Sequence, residues 1–192
     1  MGNPHYSTEC AEHISTEEAA WALLTKTTGL KNDEHGRGTA ARFVRMLEEL
    51  TTPQEFEFTT FPNDDGVDEM VIVKDIPFTS VCNHHVIPFV GRAWIGYIPN
   101  NRIAGLSKFA RVVHYFAKRL QVQERLTQQI ADEIMHVLDP LGCIVVMEAE
   151  HFCMTVRGVQ APGVTTTTSA VKGVFADHDR TAKDEFLRLI GK

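Results

Sequence analysis

Residues 107–138 read SKFARVVHYFAKRLQVQERLTQQIADEIMHVL, and the fold class turns on them. Phe109, Val112, Val113 and Phe116 recur at helical spacing over Ser107–Arg119, and Leu126, Ile130, Ile134 and Val137 do so over Val122–Leu138. The spacing predicts two consecutive amphipathic helices, ended by Pro140-Leu141-Gly142. On both sides of this pair the apolar period falls to two. Upstream, Phe56 and Phe58 alternate with Glu55, Glu57 and Thr59, and Asn63-Asp64-Asp65-Gly66 signals a turn. Met70–Ile76 reads as a strand expected to pair back across that turn, and Arg92–Ile98 as another. Downstream, strands are predicted over Ile144–Ala149, Phe152–Val159 and Val171–Phe175, then a helix over Ala182–Ile190.

Two more helices precede the strands. Ser15-Thr16-Glu17-Glu18 has the form of a capping box and should start a helix through about Thr27. Phe43, Leu47 and Leu50 predict a second over Thr39–Leu50. Residues 1–14 are polar and expected to be loose. Strands that come in runs, and not in strict alternation with helices, indicate an α+β protein with a mostly antiparallel sheet. The expected division is an N-terminal helical segment, 1–51, and a main domain, 52–192.

The chain has 192 residues, enough for one well-buried core. Its net charge of −6 argues against a general nucleic-acid or anionic-membrane binder, while leaving room for a local cluster of cations around an anionic substrate. No apolar run approaches a membrane span, and Met1-Gly2-Asn3-Pro4-His5 does not open a signal peptide, so a cytoplasmic protein is expected. Four cysteines do not make a disulfide scaffold in a chain of this size; their pairing with histidines points to metal and a reducing compartment.

Two short segments carry that pairing: Cys82-Asn83-His84-His85 and His151-Phe152-Cys153. Cys82 and His85 have the spacing of a ligand pair on a tight turn, and His151 and Cys153, if on a strand, point to one face. A closed structural zinc would use Cys82, His85, His151 and Cys153. A hydrolytic zinc would use three ligands and leave a place for water. Spacing does not separate the two, although a structural turn has no need of the second imidazole at His84. Cys143, in an apolar run, reads as a small buried residue, and Cys10 receives no role.

Ser107, Lys108 and Arg111 can converge at the start of a helix, where free N–H groups and the helix dipole favour an anion such as phosphate. A capped helix with solvated basic residues is the plain alternative. Arg157, four residues after Cys153, adds a permanent positive charge near the metal pair. Glu124 opens the next helix; a carboxylate there can accept two hydrogen bonds from a guanine edge, or simply complement the helix dipole. The run Thr165–Ser169 suits a strand or loop and is given no chemistry.

Taken together, Asp75-Ile76-Pro77-Phe78, Cys82 with His84-His85, Gly105-Leu106-Ser107-Lys108, Gln121–Thr127, His151 with Cys153, Arg157-Gly158 and Gly173-Val174-Phe175 resemble the zinc-dependent GTP cyclohydrolase I family. The likeness runs in order from about Thr39 to Ile190. It implies Zn²⁺ on Cys82, His85 and Cys153 with water as fourth ligand, and proton transfer by His84 and His151, with Ser107 as a helper. It implies that Ser107, Lys108, Arg111 and Arg157 hold the triphosphate side of GTP, that Gln123 and Glu124 hold guanine, and that Arg42 and Arg45, matching the family's N-terminal basic pair, also bind substrate. The implied fold is the tunnelling fold: an antiparallel sheet with a helix pair on one face, assembled as a homodecamer of two pentamers with active sites where subunits meet. The implied reaction converts GTP to 7,8-dihydroneopterin triphosphate and formate. Two positions depart from the family pattern. Asn83 stands where the family usually has Glu, which removes a negative charge beside the metal, and Ala40 stands where it usually has Pro. The rival readings are a nucleotide-binding regulatory protein with a structural zinc, and another tunnelling-fold enzyme acting on a related purine or pterin.

Overall fold

The computed structural model describes residues 14–177 and 181–192. The expectations for Cys10 and for a loose segment at 1–14 therefore fall outside the described residues, Ile14 excepted. The chain divides into two compact units between Glu49 and Leu50. In the first, helix α1 (Thr16–Thr28) starts at the expected capping box: Ser15 and Glu18 each bond the other's backbone N–H through their side chains. Gly29 ends it in the left-handed conformation, φ 72°, which a side chain would resist. Helix α2 runs Thr39–Thr51.

The second unit holds strands β1 (Thr60–Pro62), β2 (Val71–Cys82), β3 (Pro88–Ile98) and β4 (Arg102–Ala104), then helix α3 (Ser107–Ala117). Strand β5 (Leu120–Gln121) leads into helix α4 (Gln123–Leu138), followed by β6 (Gly142–His151), the one-turn helix α5 (Phe152–Thr155), β7 (Thr165–Gly173) and α6 (Thr181–Ile190). The main sheet has the order β5-β2-β3-β6-β7, antiparallel except where β5 joins β2. Helices α3 and α4 cover one face. Phe109, Val112 and Val113 of α3 and Leu126, Ile130 and Ile134 of α4 close a core with Phe78, Phe89, Ile95, Val145 and Met147. The opposite face of β3 and β6 carries Trp94, Ile144 and Val146, sealed by Phe175 and by Phe186 of α6. The α+β class, the antiparallel sheet and the helix pair on one face agree with the reading of the sequence.

Three local expectations fail, each for a physical reason. Phe56 and Phe58 form no strand. Their rings instead stand edge-on against Tyr115 and Phe109 of α3, at 5.8 and 6.1 Å, so the alternation serves side-chain packing and not a ladder. The turn at Asn63–Gly66 exists, with Gly66 at φ 65°, but it makes no hairpin. It redirects the chain, so that β1 pairs with β4 and β2 pairs with β3. Phe152–Val159 is the third. It turns into α5 and a loop, because Glu150 accepts hydrogen bonds from the Thr155 hydroxyl and the Gly163 N–H, both at 3.0 Å, and folds the segment back on itself. That loop leaves Val156 and Val159 exposed.

Candidate metal centre and its surroundings

The register of the sheet brings one set of chain ends together. Ser80 lies opposite Phe89, Phe89 opposite His151, and Cys82 opposite Gln121. Cys82 is the last residue of β2 and is buried. The backbone folds back at once, with Val86 N–H bonded to the Cys82 carbonyl and Cys82 N–H to that of Ile87, both at 2.9 Å. This tight turn presents His84 and His85 on the surface. Cys153 arrives from the other side, in the first turn of α5, immediately after β6.

One ligand atom from each of Cys82, His85 and Cys153 can be chosen so that all three lie within 4.8 Å of one another. Two sulfurs and one imidazole nitrogen are a donor set suited to zinc. Burial pushes the Cys153 thiol up, the neighbouring Cys82 pushes it further, and Arg157 opposes both. Two thiols this close resist ionising together without a cation between them, and a divalent ion supplies what that pair lacks. The segment is helical and not extended, so Cys153 reaches the cluster by the turn of α5. The strand alternation anticipated for His151 and Cys153 does not apply.

His151 is not a member of this group. Its ring lies flat on Phe89, centroids 4.6 Å apart and planes 4° apart, and its Nε2 is 2.7 Å from Gln123 Oε1. The closed four-ligand zinc therefore loses its fourth candidate. Burial holds His151 below the usual histidine value, with Glu124 pulling the other way. His84 stays beside the cluster, Nδ1 3.8 Å from Cys82 Sγ.

Gln123 and Glu124 open α4 next to His151, but they face differently. Glu124 is exposed, whereas Gln123 is 1% exposed and commits its side chain to protein groups. Its Nε2 lies 3.2 Å from the Met147 carbonyl, 2.9 Å from that of Thr166 and 3.1 Å from Thr168 Oγ1. Thr168 and Thr127 behind it were not singled out in the sequence. The signal was there in the threonine run, since alternation on β7 puts Thr166 and Thr168 on one face.

Arg157 sits by the cluster, and Ser107, Lys108 and Arg111 do not. Ser107, Lys108 and Arg111 open α3, whose capping position is Leu106 and carries no side-chain cap bond. Ser107 and Arg111 line a cavity of about 450 Å³ together with His114 and Lys118. This end of α3 follows β4, where Ala104 N–H bonds the Tyr97 hydroxyl at 3.2 Å. The other end meets β2, where the Ser80 hydroxyl donates to the Ala117 carbonyl at 2.6 Å. Ser107 and Ala117 are thus roughly 15 Å apart along the helix. Phe89 and Tyr97, at the two ends of β3, are roughly 26 Å apart. Within one chain the metal cluster and the α3 terminus lie at opposite ends of the sheet. Arg42 and Arg45, both exposed, lie on α2 in the first unit.

A family model described as GTP cyclohydrolase I matches residues 16–191. A GTP cyclohydrolase 1 of Pelotomaculum thermopropionicum is 48% identical over 182 residues, covering 91% of this chain and 96% of that protein. One of Mycolicibacterium vanbaalenii is 51% identical over 181 residues, covering 90% and 88%, and one of Aquifex aeolicus 46% over 180 residues, covering 92% and 97%. Among solved structures, that of the archaeosine synthase QueF-Like in the apo form aligns with a TM-score of 0.46 at 18% identity, over 54% of this chain and 93% of that one.

Proposed function

The chain belongs to the GTP cyclohydrolase I family, and from that premise we propose that it opens the imidazole ring of GTP at C8, releases formate and yields 7,8-dihydroneopterin triphosphate. The observation that carries the chemistry is the three-ligand cluster Cys82, His85 and Cys153, with His84 and His151 beside it and uncommitted to metal. We take the ion to be Zn²⁺, which when bound supplies Lewis-acid activation of water near neutral pH.

The protein's own part follows from placement. Glu124, exposed at the start of α4, holds the guanine edge through its carboxylate. His151, with its ring clamped on Phe89, serves N7 as the proton carrier that makes C8 attackable, and the surface imidazole of His84 moves protons as the ring opens. Arg157 holds negative charge of the substrate beside the metal end. Ser107, Lys108 and Arg111 bind the triphosphate.

Those last three residues open α3 at the end of the sheet away from the cluster of their own chain. On this reading a second copy brings its α3 terminus to the metal end of the first. We accordingly take the protein to be a homo-oligomer, a decamer of two pentamers, a reading that the family likeness supports. Among the described residues no helix is long and apolar enough to cross a membrane. A thiolate-rich metal site suits the reducing cytoplasm. The test is a pair of variants. Cys153→Ala loses both zinc and formate release, whereas His151→Ala keeps zinc and loses ring opening. A His151→Ala protein that stays active with its metal intact overturns the role given to His151.

A further inference from the structure

The Gln123 side chain makes four polar contacts beside the cluster, and they fix the placement of the hydrogens. Two of the partners of Nε2, the Met147 and Thr166 carbonyls, can only accept. Exchanging the amide oxygen and nitrogen would set oxygen against two carbonyl oxygens in a buried site, so the assignment is not reversible. Oε1 therefore faces His151, and since it can only accept, His151 Nε2 must carry the hydrogen of the 2.7 Å bond.

The threonines behind Gln123 close the network. Thr127 donates its hydroxyl to the Gln123 carbonyl at 2.8 Å, so in the 2.6 Å contact between Thr127 and Thr168 the donor is Thr168. A lone pair left on Thr168 Oγ1 faces Gln123 Nε2 at 3.1 Å and shares that atom's two hydrogens with the Met147 and Thr166 carbonyls. With Phe89 stacked on the ring, His151 has one orientation and one neutral tautomer.

We infer that Gln123, braced by Thr168 and Thr127, is a positioning residue that holds His151 as the Nε2–H tautomer, so that Nδ1 is the ring atom left to exchange a proton with GTP. This rests on the reading of His151 as the proton carrier of ring opening. It moves Gln123 from touching guanine to acting through His151. It also gives the threonine run a function. The proton held at Nε2 stays in place through the cycle, while the one exchanged enters and leaves at Nδ1.

The test uses the zinc-loaded full-length protein labelled with ¹⁵N at histidine, the His151 signals being those lost in His151→Gln. Long-range ¹H–¹⁵N correlation reads which ring nitrogen is protonated, without GTP. Wild type should show Nε2–H, and Thr168→Val a mixture of tautomers with kcat lowered about 10–100-fold and KM for GTP little changed. Thr168→Ser, which keeps the hydroxyl, should recover both the tautomer and kcat. An Nδ1–H tautomer in wild type overturns the inference outright, and needs no variant to fold. A rise in KM at constant kcat in Thr168→Val also overturns it, because that is the signature of a lost guanine contact. If wild type shows Nε2–H but His151→Gln releases formate normally, the positioning stands and the proton-carrier reading fails.

Discussion

An inactive variant and a weakened one should together make an active enzyme. Cys153→Ala removes a metal ligand at one end of the sheet, and Arg111→Ala removes a phosphate contact at the start of α3, at the other end. The cluster lies at the Phe89 end of β3 and α3 opens at the Tyr97 end, and those two residues are roughly 26 Å apart along the strand. If each substrate is held by the metal end of one chain and the α3 terminus of another, the two lesions need not fall in the same site. In a random one-to-one assembly about one site in four receives an intact half from each partner, so mixed oligomers should recover roughly a quarter of wild-type activity. Alone, Cys153→Ala should be inactive. Arg111→Ala should lose roughly 1.5–3 kcal/mol of phosphate binding, about 10–100-fold at low GTP. The assay is co-expression with two affinity tags, sequential purification, and formate release at low GTP. Activity of the mixed oligomers no greater than the average of the two parents would refute the reasoning, since it would place both lesions in one chain's site.

Further outcomes follow from the same geometry. Chelating the metal should expose Cys82 and Cys153 to alkylation while Cys143, fully buried and with its thiol pushed up to about 12 by that burial, stays unmodified; peptide mass spectrometry reads each site. The Glu150 carboxylate is held below its ordinary value of 4.5, first by the Gly163 N–H and then by the Thr155 hydroxyl. Its anchoring of residues 156–164 is thus fully present above that value and is lost as pH falls through the lower folded value. Hydrogen exchange of that loop, corrected for intrinsic rates, should rise as pH falls below 4.5 in wild type and show no such step in Glu150→Gln.

The helix pair was legible because amphipathic periods of that length have few other readings, and the sheet class followed from strands that come in runs. Pairing partners were not legible. Phe56 and Phe58 alternate like a strand, yet their rings fill space beside α3, and only the tertiary packing decides between the two uses. The fold-back after His151 was hidden because it depends on Glu150 bonding a residue thirteen places on, Gly163, while valines at 156 and 159 argue locally for a strand. At the site, residue types and spacing gathered five candidates, Cys82, His84, His85, His151 and Cys153, and it took the family resemblance to narrow them to Cys82, His85 and Cys153. They could not show which neighbours stand behind them. The buried amide of Gln123 and its partners Met147, Thr166 and Thr168 come from three separate elements, α4, β6 and β7, and their convergence is a product of register, not of sequence proximity.

The most direct measurement is to incubate the zinc-loaded protein with GTP, follow formate, and follow the fluorescence of the oxidised pterin. The account predicts equimolar formate and pterin, abolished by chelation and restored by zinc. GTP that binds and is recovered unchanged from a fully metallated oligomer would contradict it.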